Sequence, residues 1–371
     1  MTLRLLALLL AAACIRNGTA QVTANKLMGD KHEALRDSLH STPYPYVLPI
    51  LGAKAWKAGF DLPYSAGIGV NYLWQQAGIE INDLAVGFNN GPMHDLSEVV
   101  RFNDATATTS GISIRPDVWV LPFLNVYGIL ARGQNRTAID FGVWAPDSSG
   151  YKEVFSAKTT ADLTAQTFGL GITPTIGVGG FWMAFDMNFS WSDIDALDEP
   201  AFVYVFDPRI GKQFKLKGEQ SLSAWVGGFR VHLNSGTNGN IALGDLFDAS
   251  GLEGKIASGE QQVADASQQV DAWWTGLTPA QQANPVNHAK HDAATRALGT
   301  AGALLDGLSG AAGTLETSTV QYSLNKHPAQ LWCLTLGAQY QLNKHWMLRG
   351  EYGFIGERQQ FIGGLQYRFG L

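Results

Sequence analysis

Between Leu331 and Leu371 the chain reads LWCLTLGAQYQLNKHWMLRGEYGFIGERQQFIGGLQYRFGL, with an apolar residue or glycine at nearly every second position. Trp332, Leu334, Leu336, Ala338, Tyr340 and Leu342 form one series, which breaks at Asn343-Lys344. Trp346, Leu348, Gly350, Tyr352 and Phe354 resume it, opposed by Arg349 and Glu351. Phe361, Gly363, Leu365, Tyr367, Phe369 and Leu371 form a third series, opposed by Gln360, Gln366 and Arg368. Successive side chains of a strand point to opposite faces, so a period of two predicts three strands, each with one apolar face.

Four earlier segments repeat the pattern. Ala66, Ile68, Val70, Tyr72 and Trp74 oppose Gly67, Gly69 and Asn71, while Ile112, Ile114, Val118 and Val120 oppose Ser113, Arg115 and Asp117. Phe181, Met183, Phe185, Met187, Phe189 and Trp191 oppose Asp186, Asn188 and Ser190, and Trp225, Phe229, Val231 and Leu233 oppose Arg230 and His232. Weaker candidates lie near 79–88, 124–132, 136–144, 151–158, 163–177 and 201–206. A soluble sandwich also alternates, but its outer faces carry dense charge. Here charged residues are only 16% of the chain, against about 25% in soluble proteins. Strands that are apolar outside and polar inside are what a membrane barrel needs, because lipid cannot hydrogen-bond a backbone and the sheet must close on itself. Trp74, Trp191, Trp332 and Trp346 stand near strand ends, where aromatic girdles belong. The expected fold is therefore all-β, an antiparallel transmembrane β-barrel of about 12 strands, within a range of about 10–14.

The end of the chain resembles the C-terminal signature that the barrel-assembly machinery reads in outer-membrane barrels of Gram-negative bacteria. Aromatic and apolar residues alternate through GLQYRFGL, with Tyr367, Phe369 and Leu371 as the expected assembly signal. The usual form stops on Phe, whereas here Gly370 and Leu371 follow Phe369. DLPYSAGIGVNYLW and RPDVWVLPFLNVYGILARG likewise resemble motifs of a family of bacterial outer-membrane barrels. The resemblance covers roughly residues 60–371. It implies an outer-membrane location, contact with lipid and lipopolysaccharide, and the assembly machinery as partner. It carries no reaction.

The N-terminus reads as an export signal over residues 1–20. Arg4 gives a small positive region, Leu5 to Ala13 an apolar core too short to span, and Gly18-Thr19-Ala20 small residues for cleavage before Gln21. Cleavage there removes Cys14 and leaves Cys333 alone. A segment over 21–59 follows, with a short helix expected at 24–39. The barrel proper is expected over 60–371.

One region breaks the strand pattern. From Leu246 to about Leu315 the chain is rich in Ala, Gln, Gly and Asp. GKIASGEQQVADASQQVDAWW and NHAKHDAATRALGTAGALLDGL read as helices, divided by a stretch in which Pro279 and Pro285 break helices and Thr278 can cap one. This insertion, taken as 246–316, is either a hairpin packed on itself, a plug, or a lid over the barrel mouth with Trp273 and Trp274 towards the rim. Counting strands back from the C-terminus places it outside the cell. The weak point is TSTVQYSL at 317–324: were it a spanning strand, the insertion would be periplasmic.

No catalytic constellation is expected, and no cofactor or metal. His232 is the one His inside a clear strand; His288 and His291 stand three apart on a helix without a third ligand nearby. The net charge of −6 argues against nucleic acid as a partner. The residues expected to line the lumen are Arg115, Asp117, Asp186, Asn188, Arg230, His232, Arg349, Glu351 and Arg368. Such charges either line a water path or pair across a small lumen and fill it. The functional expectation is a passive channel or transporter for a small solute. The alternatives are a structural or surface-interaction barrel with a closed lumen, and an outer-membrane lipid-modifying enzyme.

Overall fold

A computed structural model describes residues 24–28, 37, 41–147, 150–194, 200–233, 236–247, 251–314 and 317–371. The export signal, Cys14 and most of the helix expected at 24–39 lie outside the described residues; Asn25 and Lys26 form a short strand instead. In chain order the elements begin with β1 (Asn25–Lys26), helix α1 (Gly52–Lys57), β2 (Phe60–Asp61), β3 (Ala66–Phe88) and β4 (His94–Asp95). They continue with β5 (Val100–Leu121), β6 (Leu124–Asp147), β7 (Gly150–Val178), β8 (Phe181–Ile194), β9 (Ala201–Lys215), β10 (Ser221–Leu233) and β11 (Gly236–Ala242). The insertion supplies α2 (Leu243–Leu246), α3 (Leu252–Thr275), α4 (Pro279–Gln282) and α5 (Pro285–Ala312). The chain ends with β12 (Thr319–Pro328), β13 (Trp332–Gln341), β14 (Trp346–Ile355) and β15 (Arg358–Phe369).

Ten strands close a ring. β3 pairs β5, and antiparallel neighbours then follow through β6, β7, β8, β9, β10, β13, β14 and β15. β15 returns to β3 with Phe369 opposite Ala66 and Gln359 opposite Gln76. Closure leaves no strand edge in the ring, the condition lipid imposes. The expected count of about twelve is corrected to ten in the barrel, with five further strands outside it among the described residues. The excess came from length. The stretch near 79–88 continues that of 66–74 in β3. Those near 124–132 and 136–144 are one strand, β6, of 24 residues, and those near 151–158 and 163–177 are one strand, β7, of 29 residues. A tilted span needs about 9–11 residues, so both strands run far past the membrane.

The long strands rise on one side of the ring only. β13 and β14 have 10 residues each, one membrane crossing. Above the ring β3 leaves β5 after Gly78 opposite Thr106 and pairs β12 instead, from Ile79 opposite Pro328 to Phe88 opposite Val320. β12 pairs β11 in turn. The outer part of the molecule thus has two sheets, β5-β6-β7 and β3-β12-β11. Within the segment 317–324 a strand, β12, begins at Thr319, but it lies outside the ring, paired with β3 and β11, and does not cross the membrane. The helical insertion therefore caps the end opposite the short turns at Pro122-Phe123, Gly179-Gly180 and Leu342–His345. On the rule that short turns belong to the periplasmic side of such barrels, the insertion's end is expected to be the outer one.

The helices follow from their spacing. Leu252, Ile256, Gly259, Val263, Ala266 and Val270 recur at three and four residues and are the buried side of α3. Ala297, Leu298, Ala301, Leu304, Leu305 and Leu308 do the same for α5. Thr278 closes a capping box with Gln281, and the Asn284 side chain accepts from the Val286 N–H ahead of α5. The pair packs on Val143, Ala145, Val154, Phe155 and Ala157 of β6 and β7. Trp273 and Trp274 do not face the rim: Trp274 stacks on His291 at 4.3 Å at the far tip of the hairpin, and Trp273 is exposed.

Candidate functional site

The ring's outward face carries Ile68, Val70, Tyr72, Ile112, Ile114, Leu130, Phe168, Leu170, Phe185, Leu334, Leu336, Leu348 and Leu365, all exposed. Exposed apolar side chains in a continuous band have no place in water; with lipid against them they cost nothing. Trp191 and Trp332 mark the upper edge of the band, and Phe181, Trp346 and Tyr367 the lower. The lower edge is tied to the N-terminal segment. The Leu371 N–H donates to Ser65 Oγ at 2.8 Å, and its carbonyl accepts from the N–H groups of Val47 and Leu48.

Inside the ring, buried side chains stand at three levels. Near the periplasmic end Trp182 and Trp225 meet at 5.9 Å. Each ring lies where a neighbouring strand carries glycine. A Cβ on Gly337 would come within 2.2 Å of the Trp225 ring, and one on Gly171 within 2.0 Å of the Tyr127 ring. Side chains at these two positions would evict the aromatic rings that fill the lumen.

The middle level is a charge network. Asp186 accepts from Tyr127 Oη, from Thr173 Oγ1 at 2.8 Å and from Arg209 Nη2 at 3.1 Å, with Arg115 Nη1 at 3.9 Å. Tyr127 Oη also lies 2.6 Å from Asn188 Oδ1, and the Arg115 guanidinium covers the Tyr127 ring. Arg209 Nε lies 3.2 Å from Asp207. Asp117 accepts from Arg368 Nη2 at 2.9 Å, from Asn125 Nδ2 at 2.8 Å and from Gln366 Nε2. Glu351 is held by Arg349 and by Trp225 Nε1 at 2.9 Å. Seven of the nine residues expected to line the lumen are therefore inside the ring and paired with one another or with its lining. Arg115, Asp186 and Arg368 keep 2%, 1% and 1% of their exposure.

Arg230 and His232 are the correction. Both point outward and are exposed, and Arg230 stands over the Trp332 ring at 5.9 Å at the upper rim. Trp225, Phe229 and Val231, on the opposite face of the strand, point inward and are buried. Alternation divides a strand into two faces without saying which is inside, and here the apolar face of β10 helps to fill the lumen. The third level explains it. Leu73, Ala107, Val205, Phe229, Val231, Cys333 and Ile362 form an apolar plug across the top of the ring, capped by Arg358 over Phe229.

Above that plug, between the two outer sheets and beneath α5, lies a cavity of about 160 Å³. Its walls are Ile81, Val86, Phe102, Ile139, Phe141, Ala161, Leu304, Leu308 and Leu324, with Thr137, Thr159, Tyr322 and Lys326 as its polar members. Burial lowers the Lys326 ammonium to a pKa of about 7. The sequence carried one sign of Lys326. In VQYSLNK the alternating Val320, Tyr322 and Leu324 place a lysine next on the apolar face. Tyr127, Asp207 and Arg209 were also missed, since the segments around them alternate only weakly. His288 pairs with Asp292 at 2.8 Å on the helical hairpin, away from this cavity.

No family model matches the chain, and no curated protein matches it. Among solved structures it is similar to the β-domain of the Bordetella autotransporter BrkA, at 10% identity and a TM-score of 0.34, over 82% of this chain and 100% of that one. It is similar to the translocator domain of the autotransporter NalP from Neisseria meningitidis, at 10% identity and a TM-score of 0.31, over 82% of this chain and 88% of that one. An outer-membrane channel from Pseudomonas putida F1 aligns at 10% identity and a TM-score of 0.28, over 83% and 96%. Similarity at that level carries no weight of its own. The closed ring and its girdled apolar band make this an outer-membrane β-barrel.

Proposed function

We propose that this protein is a barrel with a closed lumen whose exposed work is done at its capped outer end, rather than a passive channel for a small solute. The observation that supports this reading is the three-level filling of the ring. Tryptophans lie below, the network around Asp186 and Asp117 in the middle, and the apolar plug around Phe229 above. A barrel of ten strands is close to the size at which side chains alone fill the interior. A water path would need the charged residues of the middle level to keep solvent contact, and Arg209, Asp186 and Arg368 keep almost none. The molecule's remaining concave features sit in the cap, where the membrane does not compete for them.

The experiment is proteoliposome swelling in an iso-osmotic small sugar. The expected swelling rate equals that of protein-free liposomes. Swelling that rises with the amount of protein would favour the channel and reject this reading.

A further inference from the structure

Beneath α5, between the two outer sheets, the cap keeps a cavity of about 160 Å³. Protein interiors hold few voids larger than a water molecule, and an empty one costs stability in proportion to its volume. The packing around this one is close. Ala301 and Leu305 of α5 and Val143 of β6 are fully buried. The helices cannot sink to close the space. A Cβ on Gly307 would lie 2.4 Å from the Phe88 ring, so α5 already touches β3 in the turn that carries Leu304 and Leu308. A Cβ on Gly259 would lie 3.0 Å from the Val154 carbonyl, so α3 is seated on β7 in the same way. At the barrel end the two sheets are joined where Gly78 of β3 pairs Thr106 of β5. The space is therefore framed before any guest arrives, as ligand pockets usually are.

Small side chains on one wall leave the room. On β6 and β7, Thr137 stands opposite Ala161 and Ile139 opposite Thr159. The facing wall is larger, with Val86 opposite Tyr322 and Phe88 opposite Val320. Size and lining then set what fits. An apolar cavity of about 150 Å³ takes up benzene or xenon. Phe88, Phe102, Phe141 and Phe247 stand round this one, and the faces and edges of aromatic rings suit a flat ring as guest. The burial that penalises the charge on Lys326 penalises a charged guest as well.

We propose that this cavity is a binding site for one small uncharged ring compound, a monocyclic aromatic hydrocarbon in chemical class. The cavity lies above the apolar plug around Phe229, so the site stands whether or not the lumen is closed. α5 contributes no strand to either outer sheet, and its lifting admits the guest with every ladder hydrogen bond intact.

The test is fluorine NMR with fluorobenzene as the probe. The full-length protein is held in nanodiscs, and protein-free nanodiscs give the signal of probe dissolved in lipid. The expected result is one further resonance that saturates at one probe per barrel. Benzene and toluene should displace it, and benzoate should need about tenfold more or greater, since it must shed its water. Dodecanoic acid should leave it in place. Ala161→Leu on β7 and, separately, Leu304→Trp on α5 fill the space and should abolish the resonance. Heat-modifiable migration and the helical far-ultraviolet signal should still report a folded barrel and cap in both. Thr137→Val, which keeps the volume, should keep the resonance. Absence of a saturable resonance in the native protein would overturn the site. A resonance unchanged in both filled variants would put the probe elsewhere and reject the cavity. Displacement by benzoate as readily as by benzene would reject the uncharged class, and displacement by dodecanoic acid would reject the single ring as the size limit.

Discussion

At the scale of single residues, Asp186, Gly171 and Lys326 are the most constrained by their surroundings. Asp186 meets two guanidiniums, one phenol and one hydroxyl inside the ring. Removing one partner of a buried ion pair costs about 3–5 kcal/mol, because the other charge is left buried. Asp186→Ala should therefore lower the unfolding free energy read from urea curves by that amount, while Asp193→Ala, at the outer end of β8, should leave it within about 0.5 kcal/mol. Gly171→Val forces the Tyr127 ring out of its place, and the damage should be largely relieved in the double variant with Tyr127→Ala, a non-additivity read from the same unfolding curves. For Lys326 the sign follows from its lowered pKa. Between pH 7 and the ordinary lysine range near 10.4 the unfolded chain binds the extra proton, so stability rises with pH there. Lys326→Met removes the burden and should raise the melting temperature most at pH 6–7, with a difference that shrinks towards pH 10. A constant difference across that range would show that Lys326 is not the buried base described. How legible were these residues? The inward parity of Asp186, Asp117 and Arg349 could be read directly, since charges on one face of a lipid-spanning strand leave one choice. Arg230 and His232 could not, because in β10 both faces are partly apolar and only the register decides.

At the scale of elements, alternation found every ring strand but not where each leaves the membrane. A strand that continues into a soluble sheet keeps its period of two, so β6 and β7 read as two strands each. The helices were legible because their apolar period changes to three and four. Their seat on β6 and β7 was not, since nothing in a helix names its partner sheet. The last strand gives a prediction at this scale. Tyr367 pairs Trp346 on one side and Ile68 on the other, and Leu371 is held by Ser65, Val47 and Leu48. Deleting residues 367–371 opens the ring at its lower edge. It should abolish heat-modifiable migration in the outer-membrane fraction. The insertion, by contrast, contributes no strand to the ring. An epitope placed between Ala280 and Asn284 should be stained by antibody on intact cells; staining only after permeabilisation would place the cap on the wrong side.

At the scale of the whole molecule, one principle sets the architecture and another sets what it can do. Lipid demands a closed hydrogen-bonded ring with an apolar exterior, and ten strands satisfy it. A ring of that size encloses buried arginines, carboxylates and aromatics, and the long strands on one side carry a second core above it. A closed lumen, as proposed, means that no continuous water path crosses the ring. Electrical recording tests it most directly: the purified protein is fused into a planar lipid bilayer in symmetric salt and the current is followed under applied voltage. A silent bilayer is expected for the native protein. Steady unitary steps in the native protein, with an ion selectivity that Asp186→Asn shifts, would contradict it.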